Sequence, residues 1–361
     1  MFSVINKLFF YQKKPSLAVV CGQGKETAAE AIFQTLKQNF KVHKLENFKF
    51  PSGFEKNDVL IFQAEDKQIK DLEFFLRNSQ KAVLVVTHIG QIPVGVDLFS
   101  GEKEKIKETL ALATKLPANN YLVLNYDDQI VREMDNLANL KTFTFGFDKT
   151  SDFYASDINL NSGTNFKVNQ KGSVVPFWLE NIFGKEQVYA ALAAAVVGNI
   201  FDLNLVEISQ GLRNYHSLPG KMKLLSGIKN SWILDDSESA TLFSMIEAIE
   251  IMTSLQSFKR KIAVLGDVLG IGEYTIEGHE AIGEKVAKGA DLLFVVGPRA
   301  KFISQEAREK GMLSEKIWQF DTIEEVQIKI QEQIQEGDLV LIDGSKEMEM
   351  KKIVEEIKST K

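Results

Sequence analysis

The chain has 361 residues, 44% hydrophobic and 25% charged, with a formal net charge of −6. This length favours about two domains, and the composition is that of a globular protein. The acidic balance argues against nucleic acid as a partner, because binding a polyanion requires a clustered basic face. The single cysteine, Cys21, excludes an internal disulfide and a zinc site of several thiolates. The histidines show no metal-ligand spacing, so no metal site is expected from them.

The first residues predict a short amphipathic helix. The segment MFSVINKLFFYQKK has Phe2, Ile5, Leu8 and Phe9 at helical spacing and ends in two lysines. This pattern predicts a docking helix over residues 1–13, and the alternative is an anchor lying on a membrane surface. No apolar run reaches the roughly 18 residues of a membrane-spanning helix, so no transmembrane segment is expected. No cleavage site of an export signal follows the segment.

Residues 14–218 predict a domain with a parallel sheet. Short apolar runs, nearly continuous as in strands buried on both faces, are LAVVC, VLIFQA, AVLVVTH and YLVLNY. Helical patterns separate these runs, which implies right-handed crossovers and a doubly wound sheet. From KTFTFGF to GSVVPFWLE the period changes to two, which predicts antiparallel strands at the sheet edge.

A second domain is predicted for residues 219–361, with Pro219 and Gly220 in the linker. Its predicted strands are SWILDDS, KIAVLGDV, DLLFVVG and DLVLIDGS. Its predicted helices are TLFSMIEAIEIMTSL, GHEAIGEKVAKG and EEVQIKIQEQIQEG. The expected fold is therefore α/β, with two doubly wound, Rossmann-like domains.

The stretch AVVCGQGKETAAEAI, residues 18–32, has the order of a phosphate-binding loop. An apolar strand leads into two glycines and Lys25, and a helix follows. Lys25 would place an ammonium near phosphates, but Glu26 stands where such a loop has the hydroxyl that holds magnesium. Cys21 carries a side chain where the loop should turn tightly, and Gly22 could take over that turn by a shift of one position. A dinucleotide loop of Rossmann type is a weaker alternative, since the third glycine is missing at the required spacing.

Seven further segments stand in a fixed order along the chain. They are THIG (87–90), ALATKLPANNYLVLNYDD (111–128), QVYAALAAAVV (187–197), LPGKMKLLSG (218–227), DDSESATLFSM (235–245), VLGDVLGIGEYTIEGHEAIG (264–283) and GSKEMEMKKIV (344–354). As a set they resemble the Mur ligase family, nearest to its branch that adds D-alanyl-D-alanine. The resemblance runs from about Lys14 to the end and implies a central ATP-binding domain followed by a C-terminal domain. The family's N-terminal UDP-binding domain is expected to be absent.

The resemblance also implies a reaction. Members of the family transfer the γ-phosphoryl group of ATP to a carboxylate with Mg²⁺, and an amine then displaces phosphate to form an amide. It implies a role in peptidoglycan precursor synthesis in the bacterial cytoplasm, with a small-molecule or cell-wall precursor as ligand. A protein partner that supplies a UDP-binding domain is a further implied partner.

The resemblance implies nucleotide-binding residues at six positions. They are Gly22, Gly24, Lys25, Thr27, Lys221 and Asp235. Lys221 stands where the family usually has arginine, so the charge is kept without the bidentate fork. Thr27 could replace the missing metal-binding hydroxyl if the loop register slips by one residue.

The family's metal-binding positions are replaced. Gln63 stands in place of a glutamate, Pro93 in place of a histidine, and Thr109 in place of a lysine that becomes carbamylated. An amide is a weak, uncharged magnesium ligand, and proline cannot bind a metal at all. Nearby candidates that could compensate are Glu65, Asp66, Lys105 and Lys107.

The C-terminal half matches the family better. Asp267, Glu273 and His279 are its candidate substrate-binding residues, and the alternative is that they only hold a strand–loop–helix together. Asp235 and Asp236 have a similar alternative, as caps of the helix that begins near Thr241.

Asp343 replaces a lysine of the family.

Two hypotheses follow from these matches and losses. The chain is either an ATP-dependent amide ligase in reduced form, or a non-catalytic relative that binds or scaffolds cell-wall enzymes.

Overall fold

The computed structural model describes residues 4–45, 53–64, 69–89, 109, 111–114, 116–118, 120–137, 140–238 and 240–359. The chain divides into two compact units. The first comprises Met1–Asn159, Asn165–Leu179 and Lys185–Tyr215, and the second comprises Leu160–Thr164, Glu180–Gly184 and His216–Lys361.

The first unit is built on a nine-stranded sheet with the order β2-β3-β1-β4-β5-β6-β7-β8-β9. The strands are β1 Ser16–Cys21, β2 Val42–Leu45, β3 Val59–Gln63, β4 Ala82–Val86, β5 Tyr121–Asn125, β6 Lys141–Gly146, β7 Phe153–Leu160, β8 Gly163–Gln170 and β9 Ser173–Glu180. Strands β1 to β6 pair in parallel. Every residue of β1 and β4 is buried, which explains why these strands read as continuous apolar runs.

One expectation about this sheet is wrong. The alternating segment at β6 was expected to begin the antiparallel edge, but β6 pairs in parallel with β5, Tyr121 opposite Lys141. The first half of β6 is partly exposed and its second half is buried. Burial thus changes from one end of β6 to the other, and the alternating sequence pattern did not indicate the direction of pairing.

The helices of the first unit are α1 Val4–Lys13, α2 Lys25–Leu36, α3 Ile69–Asn78, α4 Gln129–Glu133, α5 Lys185–Ile200 and α6 Leu205–Leu212. In α1, Phe10 is fully buried, and its ring contacts Phe75 edge-on with centroids 4.8 Å apart. The opposite side of α1 exposes Leu8 and Tyr11. The ring of Phe9 contacts that of Phe54 edge-on at 4.8 Å, so the rings of Phe9 and Phe10 both attach this helix to the core of the first unit.

The second unit has a six-stranded sheet with the order β10-β11-β15-β12-β13-β14. The strands are β10 Lys223–Ser226, β11 Trp232–Asp236, β12 Arg260–Gly266, β13 Leu292–Val296, β14 Ile317–Phe320 and β15 Asp338–Asp343. Only the β10–β11 pair of these is antiparallel. The helices are α7 Leu242–Ser254, α8 Thr275–Gly289, α9 Lys301–Glu309, α10 Ile323–Gln333 and α11 Lys351–Ile357.

The predicted fold class, two α/β units with mainly parallel sheets, is confirmed. Apolar clusters cover both faces of the second sheet. In the part of the chain that the structure describes, no helix has the length and hydrophobicity needed to cross a bilayer.

Candidate functional site

The loop between β1 and α2 contains two glycines that the backbone conformation requires. Gly22 and Gly24 have φ values of 100° and 78°, which favour glycine. A Cβ atom on Gly22 would clash with the carbonyl oxygen of His88. The backbone N–H of Gln23 donates to that same oxygen at 2.6 Å. The loop is thus fixed against the end of β4, and Gly22 makes the turn as expected.

Lys25 is the first residue of α2, and its ammonium contacts the chain itself. Its Nζ donates to the carbonyl oxygen of Ala64 at 3.0 Å. Ala64 directly follows β3, which ends in the half-buried Gln63. The Lys25 ammonium thus lies beside the end of β3, which pairs in parallel with β1.

Thr27 is fully buried and hydrogen-bonds to a residue that sequence reasoning did not single out. Its Oγ1 donates to Oε1 of Glu186, in the first turn of α5, at 2.5 Å. A Cβ atom on Gly24 would lie 3.3 Å from Cγ and 3.4 Å from Cδ of the same glutamate. The Thr27 hydroxyl, proposed as a substitute metal ligand, lies near the N-terminus of α2 and is thus hydrogen-bonded to the carboxylate of Glu186.

Of the three replaced metal positions, the structure describes two. Gln63 is half-buried and Thr109 is buried, whereas Pro93 lies outside the described residues, as do Glu65, Asp66, Lys105 and Lys107. Within the described ranges, no three His, Cys, Asp or Glu side chains are placed to hold a metal ion.

A polar network lies where β4 and β5 end. His88 Nε2 accepts from Asn125 Nδ2 at 2.9 Å, so the ring proton is on Nδ1, 3.4 Å from Asp128 Oδ2. Asp128 also accepts the backbone N–H of Ile89 and caps α4 through Ile130. Burial opposes ionisation of Asp128, but the nearby His88 ring and the backbone N–H groups that it accepts lower its pKa overall. The ring of Tyr189 packs edge-on against His88.

In the second unit, Asp235 and Asp236 hold the segment that carries Lys221. Asp235 Oδ2 accepts the backbone N–H of Gly220, and Asp236 Oδ1 accepts that of Met222, both at 3.1 Å. Burial raises the pKa of Asp235, although its hydrogen bonds with Ser237 oppose the rise.

The alternative that these two aspartates cap α7 is wrong. The N-cap of α7 is Thr241, which forms a capping box with Ser244. Asp235 and Asp236 end β11, and their carboxylates instead accept from residues that precede β10.

Asp343 ends β15 beside Asp236 in the sheet register and is fully buried. Neither of its carboxyl oxygens has a well-aligned hydrogen-bond partner in the described part of the chain. Burial raises the pKa of Asp343 well above its usual range; the charge of Lys221 opposes this rise and that of Asp235 adds to it. Burial therefore favours the protonated form of Asp343.

The three candidate substrate residues are in different environments. Asp267 is buried, and its Oδ1 accepts the backbone N–H groups of Arg299 and Ala300 at 2.9 and 2.7 Å. His279 is also buried, and burial lowers its pKa. Glu273 is exposed.

The hydrogen bonds of His279 define its role in the fold. Its Nε2 accepts the backbone N–H of Val268, and its Nδ1–H donates to the carbonyl oxygen of Thr275 at 2.6 Å. A neutral imidazole therefore ties the loop after β12 to the first turn of α8.

An open pocket of about 340 Å³ adjoins this loop, within the second unit. It is lined by Glu238, Ala240, Leu269, Gly270, Ser345, Lys346 and Glu347. Ser345 Oγ accepts the backbone N–H of Leu269 at 2.8 Å, which fixes one wall. Acidic and basic side chains both face this pocket, so it has no single sign of charge.

The fold is thus a mainly parallel α/β unit with a strand–glycine loop–helix, followed by a second mainly parallel α/β unit. Residues 75–198 match the Mur ligase middle domain, and residues 220–346 match the Mur ligase, glutamate ligase domain. The chain therefore belongs to the Mur ligase family through these two domains. The family predicted from the seven segments is confirmed.

Individual relatives agree with this assignment. The chain is 24% identical over 353 residues to the UDP-N-acetylmuramoyl-tripeptide--D-alanyl-D-alanine ligase of Bacillus subtilis (strain 168), covering 94% of this chain and 75% of the relative. The enzyme of the same name from Escherichia coli (strain K12) is 28% identical over 193 residues, which are 52% of this chain and 42% of that one.

Solved structures show the same fold. MurF ligase from Thermotoga maritima in complex with ADP has a TM-score of 0.76 at 18% identity, covering 97% of this chain and 81% of that chain. A structure of MurF from Acinetobacter baumannii has a TM-score of 0.79 at 19% identity, covering 97% and 78%.

Proposed function

We propose that this protein is a Mur ligase-like protein of peptidoglycan precursor synthesis, in the bacterial cytoplasm, whose ATP-dependent amide ligation is weak or lost. Its similarity to D-alanyl-D-alanine ligases supports the pathway. One observation carries the second half of the proposal: Glu186 accepts the Thr27 hydroxyl at the N-terminus of α2.

Electrostatics explains why this arrangement disfavours Mg-ATP. Phosphoryl transfer depends on positive groups that neutralise the phosphates. Here Lys25 shares the first turn of α2 with Glu26, and Glu186 contacts that turn. A carboxylate about 4 Å from a phosphate charge repels it by roughly 4 kcal/mol at an effective dielectric constant of 20.

The residues at the family's metal-binding positions support the same proposal. The family alignment gives Gln63, Pro93 and Thr109 at positions that hold or support magnesium in the family. None of the three brings a negative charge to a cation. Gly22, Gly24 and Lys25 keep the shape of the loop, but the residues present do not fit a magnesium-bound triphosphate, and we derive no ligation step through one.

A second candidate is complete loss of catalysis, with the fold kept as a binding or scaffolding partner of cell-wall enzymes. The partly buried Thr27–Glu186 hydrogen bond favours it, because this bond completes the loop without a nucleotide. Release of phosphate from ATP separates the two candidates. Slow phosphate release supports weak ligation, whereas the absence of phosphate release supports the partner role.

The test of the proposal is a calorimetric titration of the purified protein with Mg-ATP. We expect millimolar affinity or no measurable binding, and micromolar affinity would contradict the proposal. The double variant Glu26→Thr with Gln63→Glu should bind more tightly, because it restores a hydroxyl and a metal-binding carboxylate. A matched control is Glu133→Thr with Gln129→Glu, which makes the same exchange on the exposed side of α4.

A further inference from the structure

Glu186 belongs to α5 but lies against the first turn of α2. We infer that its carboxylate is a built-in anion of the phosphate loop, which takes the electrostatic place of a bound phosphate and keeps polyphosphates out. This inference rests on the proposed function, because it names the residue that closes the same loop. Glu186 is then a specificity-determining residue that lies outside the sequence of the loop.

The contacts of Glu186 place its charge at the start of α2. Its Oε1 accepts the Thr27 hydroxyl at 2.5 Å, and Thr27 is fully buried. Its Cγ and Cδ lie over Gly24, the residue that precedes the helix. A hydroxyl that donates to a carboxylate forms a charge-assisted bond, which is stronger than a bond between neutral groups.

The helix end favours an anion at this position. The N-terminus of a helix carries about half a positive charge, and α2 has twelve residues. Gly24, the residue at its N-cap, has no side chain that could accept the first N–H groups. Glu186 supplies the negative charge from another helix.

Displacement of Glu186 by a ligand would be costly. Its backbone is fixed in the first turn of α5, so the carboxylate competes with any dissolved anion as a tethered group at high effective concentration. Its departure would also leave the buried hydroxyl of Thr27 without its acceptor. A polyphosphate has to overcome both effects, in addition to charge repulsion.

The test is the variant Glu186→Gln, probed with inorganic pyrophosphate without magnesium at low salt. The amide keeps an oxygen that accepts from Thr27 but removes the charge. We expect pyrophosphate to bind at least about ten-fold more tightly than to the unaltered protein, a change of about 1.4 kcal/mol. The control Glu133→Gln removes an exposed charge from the same unit and should leave the affinity unchanged.

Two comparisons make the test decisive. An unchanged affinity in a folded Glu186→Gln protein overturns the inference, and so does an equal gain in Glu133→Gln. A gain in Glu26→Gln without one in Glu186→Gln also overturns it, because the excluding charge would then be Glu26. Should Glu186→Gln fail to fold, the same gain is required of Glu186→Ser. Tight Mg-ATP binding by the unaltered protein would instead contradict the proposed function.

Discussion

The charged side chains at the loop after β1 bond to a side-chain hydroxyl and a carbonyl oxygen, whereas those at the acidic strand ends of the second unit bond to backbone N–H groups. In the loop, a carboxylate and a carbonyl oxygen of the chain receive the hydrogen bonds of Thr27 and Lys25. At the strand ends, Asp235, Asp236 and Asp267 accept backbone N–H groups of neighbouring segments. A residue that matches a family motif can therefore be explained by its hydrogen bonds within the fold alone.

The largest expected effect tests that structural role. Replacing Asp267→Ala leaves the buried N–H groups of Arg299 and Ala300 without their acceptor. We expect a loss of about 3 kcal/mol in the free energy of unfolding, because each unsatisfied buried donor costs about 1 to 3 kcal/mol. Urea unfolding followed by circular dichroism measures it.

The control for this variant is Arg299→Ala. That change removes only the ion pair with Asp267, at 3.3 Å, from a side chain that is 46% exposed. It should cost less than about 1 kcal/mol. If the two variants lose equal stability, the ion pair and not the backbone contacts explains the burial of Asp267.

A smaller effect of opposite sign is expected for Asp343→Asn. The pKa of Asp343 is raised in the folded state, so the folded protein keeps a proton that the unfolded chain loses above about pH 4. Stability contributed by this group is therefore complete below that pH and falls as pH rises toward the folded pKa. The amide variant should be more stable by at least about 1 kcal/mol near pH 8 and nearly unchanged near pH 4.

Urea unfolding at several pH values checks this prediction. Asp321→Asn is the control, because it alters an exposed aspartate of the same unit. A stability difference for Asp343→Asn that stays constant across the pH range would show that Asp343 does not titrate with folding.

The smallest effect is expected for Lys25→Met. The ammonium contributes one hydrogen bond to the carbonyl oxygen of Ala64, so its loss should cost about 0.5 to 1 kcal/mol of stability. Lys37→Met, at the exposed far end of the same helix, is the matched control. Thermal unfolding measures both. A loss of several kcal/mol would mean that Lys25 has become a structural residue, as the aspartates of the second unit are.

Prediction from sequence succeeded where burial leaves a clear pattern. Strands β1 and β4 are buried along their whole length, so their apolar runs were readable. The direction of β6 was not readable, because an alternating sequence pattern does not identify the neighbouring strand or its direction. The role of Asp235 was missed for a similar reason, since its partner Gly220 lies fifteen positions earlier, across a strand pair.

The sequence by itself determined the family, the strand–loop–helix around Lys25 and the absence of a hydroxyl at Glu26, because these depend on short stretches of neighbouring residues. Only the tertiary structure decided what lies over that loop. Thr27 and Glu186 are 159 positions apart, and they meet because α5 packs against α2. Packing between distant helices brings a carboxylate to a helix end, and no local pattern encodes such a contact.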